Sequence, residues 1–374
     1  MTEDSTNAKK KLLNHFGIST EGNDFWKRVP FSDKSHLDNF IPSSKFAYLF
    51  TTGGSTGESS LVFTGKESME AQLTTACLTF DYFGVTEKDN VAMLLSLKTR
   101  SFQLFTEACV KRGTGVIPLG AWNSSPISQT VRIIEKVRPT VWEGISSYLL
   151  SVMCKVKPEY LPRCIITGAE PTLNWQIRKC KELGVKMYTR YSTAEGGQCG
   201  ASKYDDPNRM DVIGNSTYVE TVEKSMGDAI VVTDLNNFVM PIIRFVPGDI
   251  VKNVKYNDDD SVKEFTYDKR MDDEVKINGC AYSKADIISR LGTCTQDFAF
   301  RIKNAGKLDV IEITTTEEHK SEEEAILRSV DDIGAEKSVV FGDAASLPKT
   351  SNGKRKYVID MRGIQSVPAT APQK

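Results

Sequence analysis

The most restrictive feature of the sequence is a regular alternation of short apolar runs with amphipathic segments between residues 91 and 188. Val91–Leu95, Gly115–Pro118 and Cys164–Thr167 are short and apolar, as buried strands are. Intervening segments such as Ile127–Val137 carry apolar residues at helical spacing. Strands that alternate with helices predict a parallel sheet in an α/β fold, in which ligands bind at the carboxyl ends of the strands.

Other segments are predicted one at a time. Residues 1–20 are polar, and we predict that they are frayed. Residues Phe46–Phe50 predict a buried strand before a turn rich in Gly, Ser and Thr. Residues Val29–Asp38 predict an N-capped turn that leads into a short helix. Short strands are also predicted at Thr140–Trp142 and Val185–Tyr188.

The character of the sequence changes near Gly200, where antiparallel strands are predicted to begin. They continue to a boundary near Arg270–Asp273, after which a small α+β region follows. We therefore predict an α/β protein with a large N-terminal domain, residues 1–271, that combines parallel and mixed sheets with a small β subdomain. Residues 272–374 are predicted to form a small α+β C-terminal domain that carries Lys354.

The composition disfavours several classes of function. The 374 residues have a formal net charge of −1, which gives no electrostatic signature of nucleic-acid or membrane binding. No apolar run is long enough to span a bilayer, and the N-terminal lysines are not followed by the apolar core of a secretory signal. The eight cysteines include no C-x-x-C pair, which favours free thiols in the cytoplasm over a zinc site. None of the three histidines has a metal-like or triad-like neighbour.

The turn Thr52–Ser60, with the sequence TGGSTGESS, is a candidate phosphate-binding loop. Its glycines can adopt positive φ and allow an anion to approach the backbone. Its hydroxyl and main-chain N–H groups can then donate hydrogen bonds to phosphate oxygens. The residues expected to bind phosphate are Thr52, Gly53, Gly54, Ser55, Thr56 and Gly57.

This loop is not a Walker motif, which requires Gly, four residues and then Gly-Lys-Ser/Thr. Gly65-Lys66 is followed by Glu67, and Gly353-Lys354 is followed by Arg355. Neither is preceded by glycine at the required spacing. A P-loop kinase or ATPase is therefore disfavoured.

Four further groups of residues follow the glycine-rich loop along the chain. A single Gly-Asp pair is usually a turn, and a lysine in a charged run is usually on the surface, so the order of the groups matters more than any one of them. The groups are Thr167–Pro171, Tyr191–Glu195, Thr233–Leu235 with Pro241–Phe245 and Gly248–Asp249, and Pro348–Lys354.

In this order the five groups resemble the acyl-adenylating superfamily of acyl-CoA synthetases, peptide-synthetase adenylation domains and luciferases. The resemblance covers Val29–Lys356. The segment VPFSDKSHLDNF and the strand Gly115–Pro118 are similar to the phenylacetate–CoA ligase branch. The short chain is also similar to the compact adenylating proteins of phenazine antibiotic biosynthesis, which act on griseoluteic acid.

The resemblance implies an enzyme that uses ATP and Mg²⁺ to activate a carboxylic acid, an aromatic one in this branch, as an acyl-AMP with release of pyrophosphate. Lys354 is expected to bridge the acyl carboxylate and the α-phosphate, and Glu195 to bind magnesium. Asp249 is expected to accept both ribose hydroxyls, with help from Arg270, and Tyr191 to stack on adenine. The remaining residues expected at the nucleotide and acyl site are Gly168, Ala169, Glu170 and Ser192.

The sequence departs from the family pattern at two positions. Ser60 stands where the glycine-rich loop usually ends in Lys. Ala194 replaces the Thr or Ser whose hydroxyl contacts the α-phosphate. Thr193, which we count with the catalytic residues, is adjacent, but in an extended segment it is expected to point to the opposite side. Loss of one such donor costs about 2–4 kcal/mol of transition-state stabilisation, so a slow or unusual adenylating enzyme is expected.

The family's second half-reaction implies a mobile C-terminal domain that turns about a hinge, here at Asp272. The segment Lys276–Gly279 would then approach a thiol acceptor, with Gly279 leaving room for a pantetheine arm. Coenzyme A, an acyl-carrier protein and an amine all stay open as acceptors. A homodimer also stays open.

Two alternatives compete with the adenylating enzyme. A catalytically degenerate member that binds nucleotide or acid is favoured by Ala194 and Ser60 and disfavoured by Glu195, Asp249 and Lys354. A phosphotransferase is disfavoured by the failed Walker matches, and would release ADP in place of pyrophosphate.

Overall fold

The chain divides into two compact units in the computed structural model. The first comprises Met1–Asp272 together with Thr350–Lys354, and the second comprises Asp273–Lys349 together with Arg355–Lys374. The structure describes residues 5–37, 40–42, 45–51, 60–121, 124, 126–204, 206–306, 308–343, 346–350 and 354–362.

The first unit contains seven of the helices found among these residues and two sheets. Its helices are α1 (Ser5–His15), α2 (Phe25–Arg28), α3 (Lys66–Tyr82), α4 (Arg100–Lys111), α5 (Ile127–Val137), α6 (Ser146–Met153) and α7 (Asn174–Glu182). Its strands are β1 (Tyr48–Thr51), β2 (Leu61–Thr64), β3 (Asn90–Leu94), β4 (Gly115–Pro118), β5 (Val141–Ile145), β6 (Cys164–Gly168), β7 (Lys186–Thr193), β8 (Gly197–Ser202), β9 (Arg209–Val212), β10 (Thr217–Lys224), β11 (Gly227–Asp234), β12 (Asp249–Tyr256) and β13 (Val262–Arg270).

A sheet of eleven described strands runs through the first unit in the order β10-β11-β12-β13-β9-β8-β7-β6-β5-β3-β4. The five strands from β7 to β4 pair in parallel, and those from β7 to β10 pair antiparallel. The helical crossovers of the parallel half place its strand ends at one edge. The α/β class and the large mixed sheet predicted from the sequence are confirmed.

Burial on both faces explains why the strands of the parallel half are continuous apolar runs in the sequence. Both faces of a parallel sheet are covered by helices, so every position along the strand is buried. Val91, Trp142 and Ile165 are all 0% exposed and belong to one cluster. A second cluster, which includes Phe245 and Phe265, lies under the antiparallel half.

Residues Ser5–His15 are helical, so the prediction of a frayed segment at residues 1–20 was wrong for this part of it. Helix α1 buries Leu12 and Leu13 completely. These leucines pack with Trp26, Tyr218 and other apolar residues in a cluster of their own. The helix is polar on average, and its buried residues are the two leucines and Lys9.

The apolar run at Phe46–Phe50 contains a strand, but it is not buried as predicted. Strand β1 pairs antiparallel only with β2, which the sequence did not predict, in a two-stranded sheet. Leu49 on β1 and Leu61 on β2 are 45% and 43% exposed, whereas Phe50 and Val62 are buried. The glycine-rich loop that joins these strands lies outside the described residues.

The second unit is a smaller α+β structure with its own core. Its strands are β14 (Glu274–Ile277), β15 (Cys280–Ser283), β16 (Phe298–Ala305), β17 (Leu308–Thr316), β18 (Glu336–Gly342) and β19 (Val358–Asp360), and its helices are α8 (Lys284–Leu291) and α9 (Glu323–Ser329). Strands β14 and β15 form a hairpin, and the other four form a sheet in the order β18-β17-β16-β19. No helix in the described part of the chain is both long enough and apolar enough to span a bilayer.

Candidate active site at the carboxyl ends of the parallel strands

The carboxyl ends of β5, β6 and β7 and the first turn of α4 surround a cavity of about 100 Å³ in the first unit. The position agrees with the rule that open α/β sheets bind ligands beyond the carboxyl ends of their strands. Its lining includes Phe50, Thr99, Arg100, Ser101, Phe105, Ile145, Ala169, Arg190, Ser192, Thr193, Ala194 and Lys354.

Glu195 follows β7 and presents a buried carboxyl group beside this cavity. The residue is 4% exposed, and burial raises the pKa of the carboxyl. The charges of Lys34 and Arg270 act in the opposite direction on this pKa, and the charge of Asp249 adds to the rise. Desolvation has the largest effect on the pKa of Glu195, so a cation that binds this carboxyl would lie in a site of low dielectric.

The turn from β7 to β8 is held by several side chains. Thr193 accepts a hydrogen bond on Oγ1 from the main-chain N–H of Gly196 at 2.8 Å, so its hydroxyl stabilises the turn. Gln72 and Thr217 donate to the Gly196 carbonyl at 3.2 and 2.6 Å. Strand β7 extends to Thr193, well past the predicted end at Tyr188, and so carries Tyr191 and Ser192 within the sheet.

Asp249 is the centre of a buried hydrogen-bonded group. Tyr191 donates its hydroxyl to Asp249 Oδ2 at 2.7 Å, and Arg270 donates Nη1 to Oδ1 at 3.0 Å. Both carboxylate oxygens are therefore engaged, although each keeps a further lone pair for a ligand hydroxyl. Burial and the charge of Asp249 raise the pKa of Tyr191 well above its usual value.

The ring of Tyr191 is packed rather than open. It is 8% exposed, and it meets the ring of Phe265 edge-to-face with 5.4 Å between centroids. Gly248, which precedes Asp249, has φ +91°, and a Cβ there would lie 3.3 Å from Arg270 Nη2. The backbone before Asp249 therefore suits glycine, which lets the arginine approach the carboxylate.

The end of β6 and the segment after it hold three of the predicted residues, Gly168, Ala169 and Glu170. Ala169 has φ +68°, a left-handed conformation that is uncommon for alanine. The carboxylate of Glu170 accepts hydrogen bonds from Ser146 Oγ at 3.0 Å and from the N–H and Oγ of Ser147 at 3.1 Å each. It lies at the N-terminus of α6, where a negative charge is stabilised by the helix dipole.

The structure adds a buried ion pair that the sequence did not predict. Arg190 on β7 and Glu143 on β5 have no exposed side-chain area, and Arg190 Nε lies 2.7 Å from Glu143 Oε1. Burial raises the pKa of Glu143 to about 7, against the opposing effect of Arg190. The guanidinium also donates Nη1 to Ser101 and Ser192 at 3.1 and 3.0 Å.

This pair explains the glycine at position 168. Strand β6 lies between β5 and β7, so Arg190 must pass over it to reach Glu143. A Cβ on Gly168 would lie 3.0 Å from Arg190 Cζ. The one sequence signal for the pair was a charged residue inside each of two apolar strands, VWEGI and KMYTRYST.

Lys354 belongs by its contacts to the first unit and lines the cavity. Its main-chain N–H donates to Thr350 Oγ1 at 3.0 Å, and its carbonyl accepts from the Thr350 N–H at 2.8 Å. Burial lowers the pKa of Lys354, while the charges of Glu170, Asp249 and Glu195 oppose that decrease. The structure therefore places Lys354 in the cavity lining with Ala169 and Ser192, two of the other predicted site residues.

Three other predictions concern the glycine-rich loop, the hinge and the thiol-acceptor segment. Thr52–Gly57 lies outside the described residues. Asp272 accepts from Arg270 Nε at 3.2 Å. Gly279 has φ +84° and forms the β14–β15 turn with Asn278, whose φ is +47°. This turn requires positive φ at both positions, so the turn alone explains the glycine at position 279.

The residues present fit a magnesium ion that shares its coordination with phosphates. Among the described residues, no group of three or more His, Cys, Asp or Glu side chains could bind a metal alone. Mg²⁺ in nucleotide sites commonly takes one or two carboxylates and completes its shell with phosphate oxygens and water. The buried carboxyl of Glu195 supplies a ligand of that kind.

Comparison with known proteins gives a match in structure only. No protein-family model and no curated protein sequence matches the chain. A crystal structure of 2-hydroxyisobutyryl-CoA ligase in complex with 2-HIB-AMP matches with a TM-score of 0.73 and 17% identity, over 94% of this chain and 85% of that one. The same ligase with 2-HIB-AMP and CoA gives 0.59 and 18% identity, over 96% and 86%.

A second protein has a similar structure. ATP-bound MatB from Rhodopseudomonas palustris matches with a TM-score of 0.60 and 16% identity, over 83% of this chain and 66% of that one. At these identities the likeness shows the fold alone, which this chain shares with 2-hydroxyisobutyryl-CoA ligase and MatB.

Proposed function

We propose that this protein is an ATP-dependent, AMP-forming acid ligase that activates a carboxylic acid as an acyl-AMP and then transfers the acyl group to a thiol or amine. The observation that supports this function most is that Lys354 lines the cavity at the carboxyl ends of the parallel strands, together with Ala169 and Ser192. The fold supports it too, because solved structures with this fold hold acyl-AMP or ATP.

In the proposed reaction a carboxylate oxygen of the acid attacks the α-phosphorus of ATP. The bond from the α-phosphorus to its bridging oxygen breaks, and pyrophosphate leaves with the bonding electrons. Lys354 contacts both the attacking carboxylate and the α-phosphate and lowers the repulsion between them. The carboxylate of Asp249, oriented by Tyr191 and Arg270, accepts the ribose hydroxyls.

The other proposed contacts surround this centre. Thr52–Gly57 would bind the β- and γ-phosphates, and Glu195 would hold magnesium, which when bound neutralises phosphate charge. Ala169 and Ser192 line the cavity and contact the acyl-adenylate. Tyr191 would form part of the adenine site, where its ring is 8% exposed and packs edge-to-face against Phe265.

Within this class we propose an aromatic acid, as in the phenylacetate–CoA ligase-like branch, and a place in phenazine antibiotic biosynthesis. Support comes from the sequence resemblance and from Phe50 and Phe105 in the cavity wall. Phe83 and Tyr148 do not add to this support, because neither lines the cavity, and Trp122 lies outside the described part of the chain.

The transfer step is also a proposal. The second unit would act as a mobile lid hinged at Asp272, and Lys276–Gly279 would approach the acceptor. A Cβ at Gly279 would meet nothing within 4 Å, so its surroundings leave room for a thin chain such as pantetheine. Coenzyme A, a carrier protein and an amine are each compatible with that opening.

The first prediction is acid-dependent exchange of labelled pyrophosphate into ATP, measured over a panel of aromatic and aliphatic acids. Exchange with one acid class, reduced on the order of 100-fold or more in Lys354→Ala, would support adenylation and name the substrate class. Lys181→Ala, which removes an exposed lysine on α7, should leave the rate unchanged.

Other outcomes separate the alternatives. ATP binding without exchange for any acid would favour a degenerate nucleotide- or acid-binding protein, which Ala194 and Ser60 already favour. Release of ADP in place of pyrophosphate would indicate phosphoryl transfer and contradict the proposal.

A further inference from the structure

Arg100 lies where four elements of the first unit meet. It is the first residue of α4, directly after the N-cap Thr99, and its side chain is 3% exposed. A guanidinium has five N–H donors in a rigid plane, so it can join several acceptors at fixed angles. The acceptors of Arg100 lie on α3, on β11 and on the turn from β7 to β8.

One side of this guanidinium is anchored in the core. Nη2 donates to Ser68 Oγ at 2.9 Å and to Asp234 Oδ2 at 3.2 Å, and Ser68 Oγ donates to the same carboxylate oxygen at 2.5 Å. Asp234 is fully buried at the end of β11, and its other oxygen accepts from the Asn236 N–H at 3.2 Å. Asp234 therefore balances the charge of Arg100 and fixes its orientation.

The other side of the guanidinium holds the main chain of the site. Nη1 donates to the carbonyl oxygen of Glu195 at 3.1 Å and to that of Ala194 at 3.5 Å. Gln72 and Thr217 hold the next residue, Gly196, from the opposite direction. The hydrogen bonds from Arg100 end on the peptide of Glu195 and not on its carboxylate, so Arg100 fixes the main chain from which the Glu195 side chain extends.

We propose that Arg100, braced by Asp234 and Ser68, is the positioning residue that aims the Glu195 carboxylate at magnesium-bound ATP. The inference rests on the proposed function of Glu195. Residues that orient a metal ligand without touching the metal commonly change metal affinity about 10- to 100-fold when altered. Arg100 would orient Glu195 through its hydrogen bonds to the main-chain carbonyl oxygens of Ala194 and Glu195.

The chain offers a matched control at the opposite edge of the sheet. Arg163 also joins a buried carboxylate, Asp89, at 2.8 and 2.9 Å, and a main-chain carbonyl, that of Gly84, at 2.8 Å. Asp89 directly precedes β3, and Arg163 directly precedes β6, so both lie at the amino ends of the strands. The Arg163 side chain is 41% exposed, so Arg163→Lys controls for the loss of an arginine–carboxylate pair away from the site and not for the loss of a buried arginine.

The test compares Arg100→Lys with Arg163→Lys in the full chain. Binding of Mn²⁺ in the presence of ATP is measured by electron paramagnetic resonance of the free ion, and the Mg²⁺ dependence of pyrophosphate exchange is measured separately from the KM of the acid. Lysine retains the charge beside Asp234 but cannot reach both sets of acceptors. We expect about 10- to 100-fold weaker Mn²⁺ binding in Arg100→Lys, with the acid KM and the Arg163→Lys protein close to wild type.

Two further kinds of outcome would overturn either the role of Arg100 or the proposed function. Wild-type metal affinity in Arg100→Lys, or an equal loss in Arg163→Lys, would overturn the inference while exchange by the wild-type protein leaves the proposed function standing. If Arg100→Lys does not fold, the double variant Arg100→Gln/Asp234→Asn, which removes both buried charges, is measured in its place with the same expected loss. Absence of both exchange and Mn²⁺·ATP binding in the wild-type protein would overturn the proposed function itself.

Discussion

At the scale of single residues, Thr193 and Ala194 differ in the side-chain hydroxyl: Thr193 has one and Ala194 does not. Thr193 uses its Oγ1 to hold the Gly196 N–H in the turn after β7. Ala194 lines the cavity without a polar atom in its side chain. The chain has thus kept the hydroxyl that shapes the turn and lacks the one that would face a phosphate.

Ala194→Thr should raise the rate of pyrophosphate exchange. A donor aimed at the developing charge contributes about 2–4 kcal/mol where the geometry is good, so a partial gain on the order of 10-fold is expected. The measurement is kcat at saturating acid and ATP.

Ala194→Val is the matched control, since valine has the shape of threonine without the hydroxyl. An equal gain in both variants would assign the effect to bulk, and no gain in Ala194→Thr would show that the hydroxyl is not missed.

At the scale of elements, α1 shows how a polar segment becomes part of the core. Its burial is confined to one stripe in which Leu12 and Leu13 contact the α2 region and β10. Lys9 supplements the contact, because its ammonium lies 3.4 Å from the centre of the Tyr218 ring. A helix of this kind is stabilised by tertiary packing and not by its own propensity.

Leu13→Ala should lower the free energy of unfolding by about 2–5 kcal/mol, the cost of a large-to-small change at a buried site. Urea denaturation followed by circular dichroism measures the change. Asn7→Ala, on the exposed side of the same helix, should have little effect. Equal stability of Leu13→Ala and wild type would mean that α1 is not packed in solution.

Elements were predictable where their pattern is long and local. Helix α5 and strand β4 have the bounds that the sequence predicted. Strand β2 was missed because LVFT lies outside the alternation of strands and helices that indicated the equally short strand β4. Strand β7 was predicted too short because the residues after Tyr188 are mostly polar.

At the scale of the whole molecule, the stability of the first unit should depend on pH through Asp89. Burial alone would raise the pKa of this carboxyl, but hydrogen bonds from Arg163, Thr86 and Thr140 outweigh it and hold the pKa below its usual value. The folded state therefore binds the proton less tightly than the unfolded state. The resulting stability is present above a pH of about 4 and is lost as the pH falls through the lowered pKa.

Asp89→Asn should lower the free energy of unfolding by about 1–3 kcal/mol at pH 7, the cost of losing hydrogen bonds to a charged group. The difference from wild type should shrink toward pH 3. Denaturation curves at several pH values measure it. Asp81→Asn, which changes a carboxylate that is 58% exposed in its pair with Arg112, should show a much smaller effect, and a similar loss in both variants would contradict the assignment.

The candidate site was predictable in its residue types but not in its connections. The proposed roles of Lys354, Glu195 and Asp249 came from the order of short motifs along the chain. The bond from Arg190 to Glu143 joins residues 47 positions apart, and the bonds from Arg100 reach residues up to 134 positions away. No local pattern specifies such pairs, because they depend on strand register and on which charges the fold buries.

Gly168, Glu143 and Arg190 depend on one another, so a substitution at any one of these positions alone is destabilising. A side chain at 168 would meet the guanidinium, a neutral residue at 190 would leave a carboxyl buried alone, and the reverse holds at 143. An evolutionary route to a different pocket must therefore cross a less stable intermediate or replace the charged pair in one step. For protein engineering, the three positions should be varied together, because independent changes would leave a buried charge unpaired or place a side chain against the guanidinium.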